Sequence, residues 1–68
     1  MTINGRSYDW GAWKMTISYE EVALLTALPT PSVTYRYAAT GARGILHPGD
    51  RLAIGPDLVV NAARTGNA

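Results

Sequence analysis

One short segment of the chain carries both a helix start and a helix stop. Ser18 and Glu21 have the spacing of a capping box, in which the serine hydroxyl accepts from the Glu21 amide and the glutamate carboxylate accepts from the Ser18 amide. Pro29 ends the pattern, because proline lacks a backbone donor and restricts the residue before it. The apolar residues at helical spacing are Val22, Leu25 and Leu28, and Ile17 is placed to staple against Val22. The sequence therefore predicts a single helix of about ten residues.

Short strand patterns lie on both sides of this helix. Asn4-Gly5, the dipeptide best suited to a type I′ turn, predicts an N-terminal hairpin. Its second arm either stops near Trp10 or resumes at residues 15–17. Residues 33–37 alternate apolar and polar side chains, which is typical of a half-buried strand. Three more short strands are predicted over residues 44–47, 51–54 and 58–62.

The order of elements is a hairpin, one helix, and then three or four strands. One helix across one face of a mixed sheet of four to five strands buries the helix stripe and one sheet face together. This α+β arrangement is the β-grasp, in which the first and last strands lie side by side at the centre of the sheet. A small open barrel of the SH3 type is the alternative, but it requires a loop after Ser18, against the capping box.

Stability must come from packing, because the sequence offers no disulfide and no structural metal site. Its 68 residues contain no cysteine, and His47 is the only histidine, so neither a disulfide nor a structural zinc site is expected. Hydrophobic residues make up 47% of the chain and charged residues 16%, a composition typical of a folded domain. We expect a β-grasp domain over residues 1–62 and a flexible tail over residues 63–68.

Charge and hydropathy narrow the classes of partner. The six basic and five acidic residues are scattered, with a net charge of +1, so no basic stripe for nucleic acid is present. No apolar run approaches the roughly 18 residues of a membrane helix, and no secretion signal is recognisable. We therefore expect no nucleic acid and no membrane as partners, and a cytoplasmic location.

Candidate catalytic groups are few. The five carboxylates fall in a helix cap, turns and loops, where such groups act as caps and turn formers. His47 and Asp50 flank Pro48-Gly49 and favour a loop hydrogen bond, because no nucleophile accompanies them. The glycine-rich residues 40–44 lack the lysine and the helix of a phosphate-binding loop. The sequence predicts that the protein is not an enzyme and uses no cofactor and no metal.

Several segments together resemble a known family. They are I-N-G-R (residues 3–6), Tyr8 with Trp10, I-S-Y-E-E-V (17–22), V-T-Y-R (33–36), Pro48-Gly49 and V-V-N (59–61). Their order and spacing are similar to those of the bacterial multiubiquitin domain family, ubiquitin-like proteins found beside bacterial activating, conjugating and peptidase-like proteins. The resemblance spans residues 2–62 and implies a protein modifier. In such a pathway a metal-dependent peptidase trims the tail, an ATP-using activating enzyme adenylates the new carboxylate, and a conjugating enzyme carries it to an amine of a target protein; the family setting suggests antiphage defence.

The resemblance gives the C-terminal residues a function. Arg64, Thr65, Gly66 and Asn67 would form the conjugation tail, since glycine permits a close backbone approach inside a narrow enzyme channel. Ubiquitin ends on Gly-Gly, whereas here one glycine precedes Asn67-Ala68, so either one or both of these residues are removed or this copy is not conjugated. The family name also implies tandem copies, and this chain holds one. A terminus that frays without any function is the alternative.

A non-covalent interaction module of the same fold is the alternative function. Such an adaptor would present a sheet edge or an apolar patch and would not need the tail. Ubiquitin-like domains bind partners through a patch on the exposed sheet face, and the candidates here are Tyr35, Ile45, Leu46 and Val59. A sulfur carrier shares the fold but requires a C-terminal Gly-Gly pair, which this sequence lacks.

Lys14 is the only lysine in the sequence. If the protein were linked to copies of itself through a side-chain amine, Lys14 would be the acceptor; the other amine is that of Met1. The alternative interpretation is a solvated loop lysine beside Trp13.

Overall fold

Seven strands and one helix make up the described part of the chain. The computed structural model describes residues 1–11 and 14–64. The elements are β1 (Thr2–Ile3), β2 (Arg6–Ser7), β3 (Thr16–Ser18), α1 (Tyr19–Thr26), β4 (Ser32–Tyr37), β5 (Arg43–Leu46), β6 (Arg51–Ala53) and β7 (Leu58–Ala63).

Five of the strands form one mixed sheet in the order β2-β1-β7-β4-β5. The first and last strands, β1 and β7, are neighbours and run parallel, whereas β7 pairs with β4 and β4 with β5 in antiparallel fashion. The predicted α+β architecture is confirmed: there is one helix and a mixed sheet, compatible with a β-grasp. The SH3-type alternative is wrong, because the segment after Ser18 is helical.

The N-terminal hairpin forms at the predicted dipeptide. Asn4 and Gly5 both lie in the left-handed region, with φ of 52° and 81°, as a type I′ turn requires. The second arm is short, however, and the strand that resumes at β3 pairs with β6 in a separate two-stranded sheet. Gly11 is also at positive φ (71°) and donates its N–H to the Asp9 carboxylate at 2.9 Å. The chain therefore turns away from the hairpin between β2 and β3.

The helix begins at the capping box that the sequence predicts. The Ser18 hydroxyl accepts from the Glu21 amide at 3.2 Å, and the Glu21 carboxylate accepts from the Ser18 amide at 3.1 Å. Ala27, at φ 58°, ends α1 in a left-handed cap two residues before Pro29. The helix therefore has 8 residues, slightly fewer than predicted.

The hydrophobic core is formed by α1, the inner face of the five-stranded sheet and the β3–β6 pair. Its members are Ile3, Ile17, Tyr19, Val22, Val33, Leu46, Leu52, Leu58, Val60 and Ala62. Of the predicted helix stripe only Val22 is fully buried; Leu28 packs against the core from its edge, and Leu25 is 40% exposed. The Tyr19 hydroxyl donates to the Pro31 carbonyl at 2.7 Å in a buried position, which ties the first turn of the helix to the segment before β4.

Asn4 extends the pairing of β1 with β7 beyond the end of β1. Its backbone amide donates to the Val60 carbonyl at 2.9 Å. Its side-chain amide donates to the Ala62 carbonyl at 3.0 Å, and its side-chain oxygen accepts from the Ala62 amide at 2.7 Å. The side chain thus replaces a backbone peptide opposite Ala62, the last buried residue of β7.

We expect substitution of Asn4 to loosen the end of β7. Asn4→Gly retains the left-handed conformation but leaves both Ala62 groups unpaired, and should lower the free energy of unfolding by about 1–2 kcal/mol. Asn4→Ala should cost about 1 kcal/mol more, because a Cβ disfavours positive φ. Urea unfolding measures both values, and hydrogen exchange at the Ala62 amide should accelerate in each variant. Unchanged exchange at Ala62 would contradict this role for the side chain.

Candidate functional site

The root of the C-terminal segment is fixed at the centre of the sheet. β7 lies between β1 and β4, and its last residue, Ala63, pairs with Ser32. The strand therefore includes one residue of the segment that the sequence assigns to the tail. Arg64 follows and is exposed. Thr65, Gly66 and Asn67, the other predicted tail residues, lie outside the described residues.

The outer face of the sheet, which points away from α1, is defined by the strand registers. Thr2, Val59, Arg36 and Arg43 lie in one row across β1, β7, β4 and β5. Ile45 lies in the next row, opposite Thr34. Ile45 is 60% exposed and Val59 is partly buried, so both remain candidates for a partner surface.

The other two predicted surface residues lie on the inner face, and their assignment to a partner surface on the exposed face is wrong. Leu46 is 2% exposed and belongs to the core, opposite Val33. Tyr35 is directly opposite Gly44, where a Cβ would come within 2.8 Å of the tyrosine hydroxyl oxygen. Tyr35 also contacts Tyr37 edge to face, with ring centroids 6.0 Å apart. The sequence of β4 already indicates the orientation of Tyr35. Successive side chains of a strand point to opposite faces, so an outward Arg36 requires an inward Tyr35.

Two arginines give the outer face a positive charge that the scattered charges of the sequence do not indicate. Arg36 and Arg43 are direct cross-strand partners, and both are exposed. Like charges in this position repel each other. None of the outward positions in the described strands of this sheet carries a carboxylate. The face therefore combines two aliphatic side chains with an uncompensated pair of guanidinium groups, an arrangement that favours an acidic partner.

Lys14 is held by two contacts and is not the solvated loop lysine of the alternative interpretation. Its Nζ lies 2.5 Å from Oε2 of Glu21 and 5.6 Å from the centroid of the Trp10 ring. Only 18% of the lysine side chain is exposed. Trp13, the neighbour expected from the sequence, lies outside the described residues.

The Lys14 ammonium lowers the pKa of Glu21 below its ordinary value of 4.5, chiefly through their hydrogen bond. Partial burial opposes this effect by disfavouring the charged carboxylate, and the Ser18 amide adds to the lowering. A depressed pKa in the folded state means that the ionised carboxylate stabilises the fold above pH 4.5. This contribution is lost as the pH falls below 4.5 through the folded-state pKa.

The stability of the wild-type protein should therefore decrease in acid more steeply than that of Glu21→Gln, which has no carboxylate to protonate. Lys14→Met is the matched control and should remove most of the same dependence, because the largest contribution to the lowered pKa comes from Lys14. Urea midpoints between neutral pH and about pH 3 measure the effect. Parallel pH profiles for all three proteins would contradict it.

All five side-chain carboxylates accept from backbone amides. Glu21, Asp9 and Asp50 do so within two or three residues, as the sequence predicts for caps and turn formers, whereas Glu20 and Asp57 reach amides 29 and 18 residues away. The pairs are Asp9 with Gly11, Glu20 with Gly49, Glu21 with Ser18, Asp50 with His47, and Asp57 with Ala39. His47 and Asp50 form the predicted loop contact, with Nδ1 and Oδ2 3.5 Å apart. Over residues 1–11 and 14–64, no group of three or more potential ligands is placed to hold a metal ion.

An apolar cavity of about 660 Å³ lies where the hairpin approaches the turn between β6 and β7. Met1, Tyr8, Trp10, Met15, Ile54 and Pro56 are among its lining residues. The Tyr8 and Trp10 rings are stacked, with centroids 5.5 Å apart. A smaller groove of about 230 Å³ runs between Trp10, Lys14 and the helix residues Leu24 and Leu25. The groove borders α1, and neither opening is lined by the outer-face residues Arg36, Arg43, Ile45 and Val59, so the outer sheet face is a separate surface.

Comparisons of the chain with protein-family models, with curated proteins and with solved structures give no match. In the part of the chain that the structure describes, no helix is long and apolar enough to cross a bilayer. Functional assignment therefore depends on the placement of the tail root, the outer sheet face and Lys14.

Proposed function

We propose that this protein is a bacterial ubiquitin-like modifier whose C-terminal tail is trimmed, activated and conjugated to target proteins. The placement of β7 is the observation that carries the proposal. Because β7 is held between β1 and β4 and Asn4 clasps Ala62, the chain leaves the body from a rigid root at Ala63. A terminus on such a root is presented at a defined place while the residues after it reach into an enzyme.

The chemistry of this function belongs to the partners. A metal-dependent peptidase exposes the working carboxylate, an activating enzyme joins it to AMP with release of pyrophosphate, and a conjugating enzyme passes it to an amine. The modifier itself needs no catalytic group. Its five side-chain carboxylates are engaged as backbone acceptors, and this distribution suits a scaffold.

The outer sheet face is the surface proposed to dock the activating or conjugating enzyme. Ile45 and Val59 supply apolar contact there, and the opposed Arg36 and Arg43 attract carboxylates of the partner. The tail root is the end of the same sheet, since Ala63 and Val59 belong to one strand. A partner seated on this face would therefore reach the tail without any change in the fold.

Removal of residues 64–68 should abolish formation of the adenylate and of adducts. The melting temperature should change little, because the last paired residue, Ala63, is retained. Pyrophosphate exchange with the activating enzyme measures the first effect, and calorimetry measures the second. Gly66→Val, which retains the length of the tail, should also impair activation by adding a side chain in a narrow channel.

Intact mass of the full chain after incubation with the pathway's peptidase gives the mature terminus. We expect a loss equal to Ala68 or to Asn67-Ala68.

A protein without residues 64–68 that still forms adducts would overturn the proposal. A truncated protein that unfolds would show that the tail is structural.

A non-covalent adaptor is the second candidate, and the uncompensated arginine pair on the outer face favours it. In that case partner binding depends on the outer face and is indifferent to the tail. Ile45→Asp should weaken binding by about tenfold or more, because it removes an apolar contact and repels an acidic partner. Leu24→Asp is the matched control, since Leu24 is 82% exposed on the helix. Equal binding by both variants would exclude the outer face as the interface.

A further inference from the structure

The sole lysine is placed where its amine is occupied. Lys14 Nζ contacts Oε2 of Glu21 and lies over the Trp10 ring, and most of its side chain is covered. Both contacts are made to the ammonium form, since a carboxylate and a ring face each attract a cation. An acceptor amine must instead be neutral and open to an incoming carbonyl carbon.

The hydrogen bond that caps α1 also orients the Glu21 side chain toward Lys14. One carboxylate oxygen, Oε1, accepts from the Ser18 amide at 3.1 Å, so the rotamer of the glutamate is set by the start of α1. The second oxygen, Oε2, is then free to receive Lys14. The same side chain therefore caps the helix and holds the lysine, and the residue pattern S-Y-E-E accounts for both functions.

We propose that Lys14 is a masked acceptor, so that this protein is not extended into side-chain-linked chains on its own surface. The inference rests on the proposed modifier function. Isopeptide formation joins the amine nitrogen to the carbonyl carbon of an activated tail, expels the thiolate or AMP that carried it, and releases one amine proton. At Lys14 this step first requires separation of the ammonium from Glu21 and Trp10. Removal of the Glu21 charge unmasks the amine.

Acylation of the isolated protein with a limiting amount of an acetyl N-hydroxysuccinimide ester tests the masking without any enzyme. Peptide mass spectrometry gives the rate at Lys14, and free Nα-acetyl-lysine amide in the same tube is the reference. We expect Glu21→Gln to raise the rate at Lys14 roughly two- to fivefold, the range of a partly exposed ion pair. Glutamine at this position still accepts from the Ser18 amide, so the cap is retained. Glu20→Gln, the same charge change one residue earlier, should leave the rate unchanged.

The wild-type protein alone provides a second arm. Its Lys14 should react more slowly than the reference when folded and as fast as the reference in guanidinium, which keeps the test decisive even if Glu21→Gln unfolds. Folded Lys14 that reacts as fast as the reference overturns the masking. That result would leave conjugation through the tail intact. Conversely, failure of every enzyme to activate the tail would end the modifier proposal and leave the measured reactivity of Lys14 standing.

Discussion

The parallel pairing of β1 with β7 is the contact on which the rest of the structure depends. It joins residues from the two ends of the sequence and places the last strand at the centre of the sheet. β4 can then pair along the whole length of β7, from Ser32 opposite Ala63 to Tyr37 opposite Leu58. This six-residue ladder supports the inner-face side chains that receive α1. Asn4 strengthens the arrangement where β1 is too short to continue.

Hydrogen bonds from polar side chains take the place of the disulfides or structural metal sites that a chain of this size often requires. Every side-chain carboxylate accepts a backbone N–H in a loop or at the helix start, and no buried side-chain polar atom in the described residues lacks a partner. The Tyr19 and Tyr37 hydroxyls donate to the Pro31 and Ala53 carbonyls, which link the helix and β4 to neighbouring segments. These bonds orient loops around a small core, so local chemistry and packing support the same fold.

The two sides of the molecule suit different tasks. The outer sheet face is basic and partly apolar, and it ends at the root of the C-terminal segment. The helix side carries Lys14 in contact with Glu21, the stacked Tyr8 and Trp10 rings, and exposed leucines. In the proposed modifier, the first side presents the tail and receives enzymes, whereas the second side withholds the one side-chain amine through which copies could be linked.

Local signals in the sequence determined the Asn4-Gly5 turn, the helix start at Ser18 and the alternation of β4, because each depends on neighbours within a few residues. The resulting order of elements was enough for the α+β class and for adjacent first and last strands. Only the tertiary structure decided that β3 pairs with β6, that Leu46 faces inward, and that Lys14 meets Glu21 and Trp10. These outcomes depend on which face of each strand packs against the helix and on the direction of the chain after the turn at Gly11. Both follow from contacts between residues distant in sequence, which spacing along one segment does not encode.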